Sequence, residues 1–407
     1  MRGYRADRAF DGTRALPGGA LVLVDDGRIV GVEPASAPAP DGCEVVDLPG
    51  TTLLPGLIDT HVHLCGDSGP RALDQVPELS ADELARVIAT AERQHLRAGV
   101  TTVRDLGDHR WAVLDRIASD GRGSADATSI DVRPRVVGSG PPITSPGGHC
   151  WSMGGEASTE DELRRAVRER AERGAAVVKI MASGGVMTPG TDMLSGQFTL
   201  AQLRAVVDEA HRLGLPVTAH AHALPAVEAS AAAGVNGIEH CSCLTASGSR
   251  RPPELLERLA AAGTYVCPTL GRVPGLDPPA RVQAALEAVH GTYEQHLPHV
   301  AELYRAGTVL LAGTDAGIGP SKAHGLVPWA IADLVTACGL TPVEALTAGT
   351  ALAARACGLE GRTGRLVPGL DADLVLVDGD ALTEATAVQR PRLVVSRGRE
   401  VPVGETG

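Results

Sequence analysis

The chain has 407 residues, enough for one large domain or two modest ones, and 43% of them are hydrophobic, enough for a substantial core. A net charge of −12 argues against non-specific nucleic-acid binding. Its polar start, Met1-Arg2-Gly3-Tyr4-Arg5-Ala6-Asp7, has no apolar signal-peptide core; no apolar run is long enough to span a bilayer; and eight cysteines occur without a CxxC pair, so a reduced, cytoplasmic protein with no membrane partner is expected.

Residues 1–55 read as strands. Segments 20–24 and 28–32 flank Asp26-Gly27, a hairpin-turn dipeptide. From Gly56 to about Gly358, short apolar runs alternate with amphipathic helices. The runs end near His63, Asp105, Gly138, Ala182, His220, His240, Pro268 and Asp315. Helices are predicted over 81–97, 160–173, 200–213 and 253–262. Capping boxes pair Thr159 with Glu162, Thr199 with Gln202 and Thr341 with Glu344. Strands that alternate with helices form a parallel sheet, and eight such units close into a TIM (β/α)8 barrel, an α/β fold. The alternative is an open doubly wound sheet. The barrel is preferred because it converges strand ends on one point, and polar groups lie at most of those ends. Residues 359–407 return to strand-like runs at 364–369, 373–377 and 393–395. Neither terminal piece can build a strong core alone, so the two are expected to pack into one small β-sandwich. The predicted domains are therefore 1–55 with 359–407, and a barrel of 56–358.

The strand ends carry the chemistry. His61 and His63 are two residues apart, so strand alternation puts both imidazoles on one face, half of a metal site. His220, His240 and Asp315 end later runs. Lys179 lies inside the apolar run Ala175-Ala176-Val177-Val178-Lys179-Ile180-Met181-Ala182. The 37 basic residues comprise 35 arginines and two lysines, Lys179 and Lys322. A chain that avoids lysine thus keeps one where a buried charge is costly. A desolvated lysine loses its proton and becomes a nucleophilic amine, which guanidinium cannot do. The bland reading is a lysine that snorkels from a strand end. Three loop histidines are candidates for holding a substrate: His149 after a Pro-Gly-Gly turn, His222 beyond His220, and His324 after the eighth strand. His95, His109, His211, His290, His296 and His299 read as solvated.

These residues resemble the amidohydrolase superfamily, and the resemblance covers nearly the whole chain. That superfamily has an HxH after barrel strand 1, a lysine on strand 4, histidines on strands 5 and 6, and an aspartate on strand 8. Here these are His61, His63, Lys179, His220, His240 and Asp315. The words Gly147-Gly148-His149, Val178-Lys179-Ile180-Met181-Ala182-Ser183-Gly184-Gly185, Ala219-His220-Ala221-His222, Ile238-Glu239-His240 and Gly313-Thr314-Asp315-Ala316-Gly317 are similar to those of prolidase-like and imidazolonepropionase-related members. Many of those have tyrosine where this chain has His222.

The resemblance implies a barrel with a β-sandwich from both termini. It implies that Lys179 captures carbon dioxide as a carbamate that bridges two divalent ions, zinc first. His61, His63 and Asp315 would complete one metal site, and His220 and His240 the other. A hydroxide shared by the two ions would attack the substrate. Asp315 would carry the proton, so Asp315 and Lys179 are the catalytic pair. The implied activity is hydrolysis of an amide bond in a small molecule, a dipeptide or N-acyl amino acid. Lactam or imidazolone ring opening, a metal-dependent lyase or decarboxylase, and an inactive binding homologue are the alternatives. Homo-oligomerisation is left open.

Overall fold

The computed structural model describes residues 1–120 and 132–403. Eight short strands form the centre: β1 (Leu57–Val62), β2 (Val100–Asp105), β3 (Arg135–Gly138), β4 (Val178–Met181), β5 (Val217–Ala223), β6 (Gly237–Thr245), β7 (Tyr265–Cys267) and β8 (Val309–Leu310). Strands β1–β3 pair in parallel, as do β4–β8. Backbone bonds close the two arcs into a barrel. At one seam Thr60 N–H donates to Ala312 O at 3.1 Å and Asp315 N–H to His61 O at 2.8 Å; at the other, Ala176 N–H donates to Gly138 O at 3.0 Å.

The barrel explains the strand sequences. Every residue of β1, β2 and β4 is buried, because one face meets the barrel interior and the other meets helices. Such strands read as apolar runs rather than as alternating ones. The helix α1 (Ala81–Arg97) starts at a capping box of Ser80 and Glu83, and the boxes expected at Thr159, Thr199 and Thr341 all form. Each cap satisfies backbone donors that the first turn leaves open. Among the described residues, no helix is long and apolar enough to cross a membrane.

The two chain ends build two further sheets. One has the order Arg28–Pro34, Ala20–Asp25, Arg2–Ala6, Glu44–Asp47. The other has the order Arg399–Val401, Pro391–Ser396, Leu374–Asp378, Thr51–Pro55, Arg8–Phe10, Ala15–Leu16. Tyr4, Val22, Ile29, Leu53, Leu374 and Leu376 belong to one buried cluster that draws on both sheets. The Asp26-Gly27 turn forms with both residues at positive φ, 44° and 74°, as a type I′ hairpin requires. Residues 364–369 are not a strand. Gly364 and Gly369 take φ of 84° and 94°, so the segment turns instead of extending.

Some strand ends differ from expectation. β5 runs on to Ala223 and β6 to Thr245, so His220 and His240 sit within strands. β8 stops at Leu310, and Asp315 lies in the turn beyond it.

Candidate active site

A cavity of about 200 Å³ opens where the strands end. His61, His63, Lys179, His220, His240 and Asp315 all line it, as do His149 and His222. His324 does not. The loop after β8 turns it beneath the site, where its Nε2 lies 2.8 Å from Gly66 O and its Nδ1 lies 3.1 Å from His95 Nε2. The expectation that His324 meets the substrate is therefore corrected.

One group is His61, His63 and Asp315. His61 Nδ1 donates to Glu239 at 2.7 Å, and His63 Nδ1 donates to Gly107 O at 3.3 Å. When the rings are neutral, both Nε2 atoms thus present lone pairs. They face Asp315 Oδ1 at 3.3 and 3.1 Å, and each other at 3.4 Å. Burial alone would lower the pKa of His63, but the bond and charge of Asp315 outweigh it and raise it. Burial alone would raise Asp315, and the charges and bonds of His61 and His63 hold it well below the usual carboxylate range.

The second group is His220, His222 and His240, whose ligand atoms also lie within 4.8 Å of one another. His220 Nε2 donates to Gly184 O at 3.2 Å, which leaves Nδ1 as an acceptor. Thr269 gives its hydroxyl proton to Pro268 O, so its oxygen accepts from His240 Nδ1 at 2.9 Å and leaves Nε2 free. His222 Nδ1 lies 3.0 Å from Ser242 Oγ, and its ring stacks on His240 at 4.5 Å. Burial, then neighbouring histidines, push His220 and His240 well below the ordinary imidazole value. Burial also lowers His222 to about 4, and with the charge of His222 it lowers His149 to about 3. Neutral imidazoles are the form that binds metal.

Lys179 is 1% exposed on β4. Burial is the largest influence on it and lowers its pKa, opposed by Glu239 and Asp315 and aided by Arg104. Its charge also acts on His63 of the first group and His220 of the second.

Backbone geometry aims two of these side chains. His240 and Asp315 have φ of 66° and 62°. Such left-handed non-glycine residues cost about 1–3 kcal/mol each and cluster at functional sites.

Several residues escaped the sequence reading. Glu239 is fully buried beneath His61. It accepts from Arg104 at 3.0 Å and from the Thr218 hydroxyl. Burial would raise its pKa, but Arg104 and His61 bring it far down, so it stays ionised. Lys322 and His296 line the cavity. His95 and His109 are buried as well, at 0% and 7% exposure, which corrects the expectation that these histidines are solvated. His95 belongs to the inner face of α1 with Ile88 and Ala91.

A model of the amidohydrolase family matches residues 52–401. The chain belongs to the amidohydrolase family. As an amidohydrolase it is a metal-binding hydrolase that acts on carbon–nitrogen bonds. It is 28% identical over 376 residues to the ochratoxinase of Aspergillus niger, covering 84% of this chain and 73% of that one. It is 28% identical over 397 residues to the imidazolonepropionase of Rubrobacter xylanophilus, covering 88% and 84%. A putative prolidase from Bifidobacterium longum superposes with a TM-score of 0.76 at 28% identity, covering 98% of this chain and 94% of that one.

Proposed function

We propose that this amidohydrolase cleaves the amide bond of a dipeptide or N-acyl amino acid at a two-metal centre. The observation that carries the reading is the donor set. In His61, His63, His220 and His240, one ring nitrogen is committed as a hydrogen-bond donor, so the other presents a lone pair. In the first group two such lone pairs converge on a carboxylate, an arrangement that calls for a cation. His61, His63 and Asp315 would hold one ion, and His220 and His240 the other, zinc first among candidates. Bound ions supply Lewis acidity that activates water and polarises the amide carbonyl.

The chain's own groups do the rest. The neutral Lys179 amine would attack carbon dioxide: a nitrogen–carbon bond forms as one C=O π bond opens, the released proton passes to solvent, and an anionic carbamate would be left as a further ligand. Asp315 takes the proton of the attacking water and passes it to the leaving nitrogen. His149 and His222 hold the substrate carbonyl. The similarity to a putative prolidase supports a linear amide. We also read residues 1–55 and 359–407 as one β-sandwich beside a barrel of 56–358; the shared cluster around Tyr4 and Leu374 supports this, and residues 404–407 lie outside the described residues.

The test is amine release from a panel of dipeptides and N-acyl amino acids while divalent metal is titrated into chelator-treated protein. Activity should appear with zinc and level off as stoichiometry approaches two ions per chain. Full activity at one ion, or activity in the chelated protein, would defeat the two-metal reading.

A further inference from the structure

The second of the two lysines, Lys322, also lines the cavity, on the loop beyond β8. Its Nζ donates to Thr269 O at 2.7 Å and to Gly271 O at 2.8 Å, and stands 5.5 Å from the centre of the Tyr293 ring. An ammonium has three donors. Two are held by backbone carbonyls, and one remains for the cavity. Among the described residues, no carboxylate lies within 4.0 Å of Nζ. Asp315, Asp333 and Asp59 act on it from farther away. Carbonyl oxygens orient an ammonium but do not neutralise it, so this cation lacks a close counter-charge. Burial lowers its pKa to about 8, against the pull of those acids.

Part of the cavity wall is apolar: Met187, Pro278, Pro279, Val282, Leu286 and Ile318 line it, beside Asp277, Gln283 and the ion pair of Arg272 with Glu294. A substrate that fits carries an apolar side chain and supplies an anion at one point.

We infer that Lys322 is the specificity-determining cation of the cavity and pairs with the free carboxylate of an N-acyl or peptidyl amino acid bearing an apolar side chain. This rests on the amide-hydrolase reading and assigns the residue that holds the substrate's free carboxylate. Lys322 then anchors the carboxylate, and His149 and His222 are left to the carbonyl. An alkylammonium reaches two carbonyls and one ligand oxygen as a compact point charge, a geometry that the planar guanidinium fork does not reproduce. That accounts for a lysine in an arginine-rich chain.

Calorimetric titration of the zinc-loaded protein with 4-methylpentanoate and with 4-methylpentan-1-ol tests this, since neither probe is hydrolysed. The wild type should bind the acid about tenfold or more tightly than the alcohol, the scale of one charge-assisted hydrogen bond. Lys322→Met should bind both alike, with its zinc content unchanged. Lys322→Gln, which keeps a donor for the carbonyls, carries the test if Lys322→Met fails to fold. An acid preference that survives in the variant would place the carboxylate on the metals and overturn the inference. Equal binding by the wild type would also overturn it. Titration needs no turnover, so an intact, Lys322-dependent preference without amide hydrolysis would count against the proposed reaction alone.

Discussion

His61 and His63 share their side of the cavity with Asp315, and the ionised Glu239–Arg104 pair backs His61. His220, His222 and His240 have no carboxylate in their group, and their ring nitrogens meet Gly184 O, Ser242 Oγ and Thr269 Oγ1 instead. Burial pushes imidazoles down on both sides. It wins at His220, His222 and His240, and loses at His63, where the acid outweighs it. The same residue type in the same cavity therefore acquires opposite tendencies according to whether an acid is within hydrogen-bonding reach. A divalent ion would meet a formal negative charge on the first side and none on the second. A carbamate on Lys179 would supply the missing one, which gives a physical reason for a buried amine between the two groups.

The largest test of that asymmetry removes the amine. Lys179→Ala and Lys179→Arg should each bring amide hydrolysis to background, with metal lost first from the second group, as read by elemental analysis and amine release. A short carboxylic acid added with zinc should partly restore Lys179→Ala, because it returns the charge. Full activity in Lys179→Arg would reduce Lys179 to a buried cation and leave the asymmetry without a remedy.

A smaller effect separates charged from neutral support. Glu239→Gln should weaken zinc binding by about 10–100-fold, the usual scale for a partner that orients a ligating histidine, measured by chelator competition. Thr269→Val should cost less, since a neutral hydroxyl backs His240. Equal losses would show that charge is not what distinguishes the two sides. The smallest effect belongs to His222. His222→Ala should keep both ions and raise KM by about tenfold with little change in kcat, the pattern of lost ground-state binding. Loss of zinc in that variant would make His222 a third ligand of its group.

Much of the cavity was legible because its chemistry stands at the ends of apolar runs, where a polar residue is conspicuous. What was missed has physical causes. Strand alternation sends Glu239 and His240 to opposite faces, yet both serve the site, because the positive φ at His240 breaks the alternation there. His324 and Lys322 share a loop, and nothing local to the sequence shows that the turn carries the lysine to the cavity and the histidine beneath it. His95 was discoverable: its spacing from Ile88 and Ala91 is that of one helix face. At the barrel's rim, β6 runs past the expected end, where Leu244 and Thr245 pair with Ser249 and Gly248 in a hairpin. In the terminal sheets, the Asp26-Gly27 turn was readable from two residues, whereas Arg2–Ala6 and Glu44–Asp47 gained their places through pairing with distant chain.

The distribution of lysine has a practical consequence for chemical labelling. Both lysines face a single cavity, and the rest of the chain's positive charge is guanidinium, which acylating reagents do not modify under mild conditions. An activated ester or isothiocyanate therefore finds no lysine on the outer surface. Beyond the terminal amine, reagent uptake would count cavities whose amines are open, and shielding by substrate or by carbamate formation would appear directly as unlabelled protein.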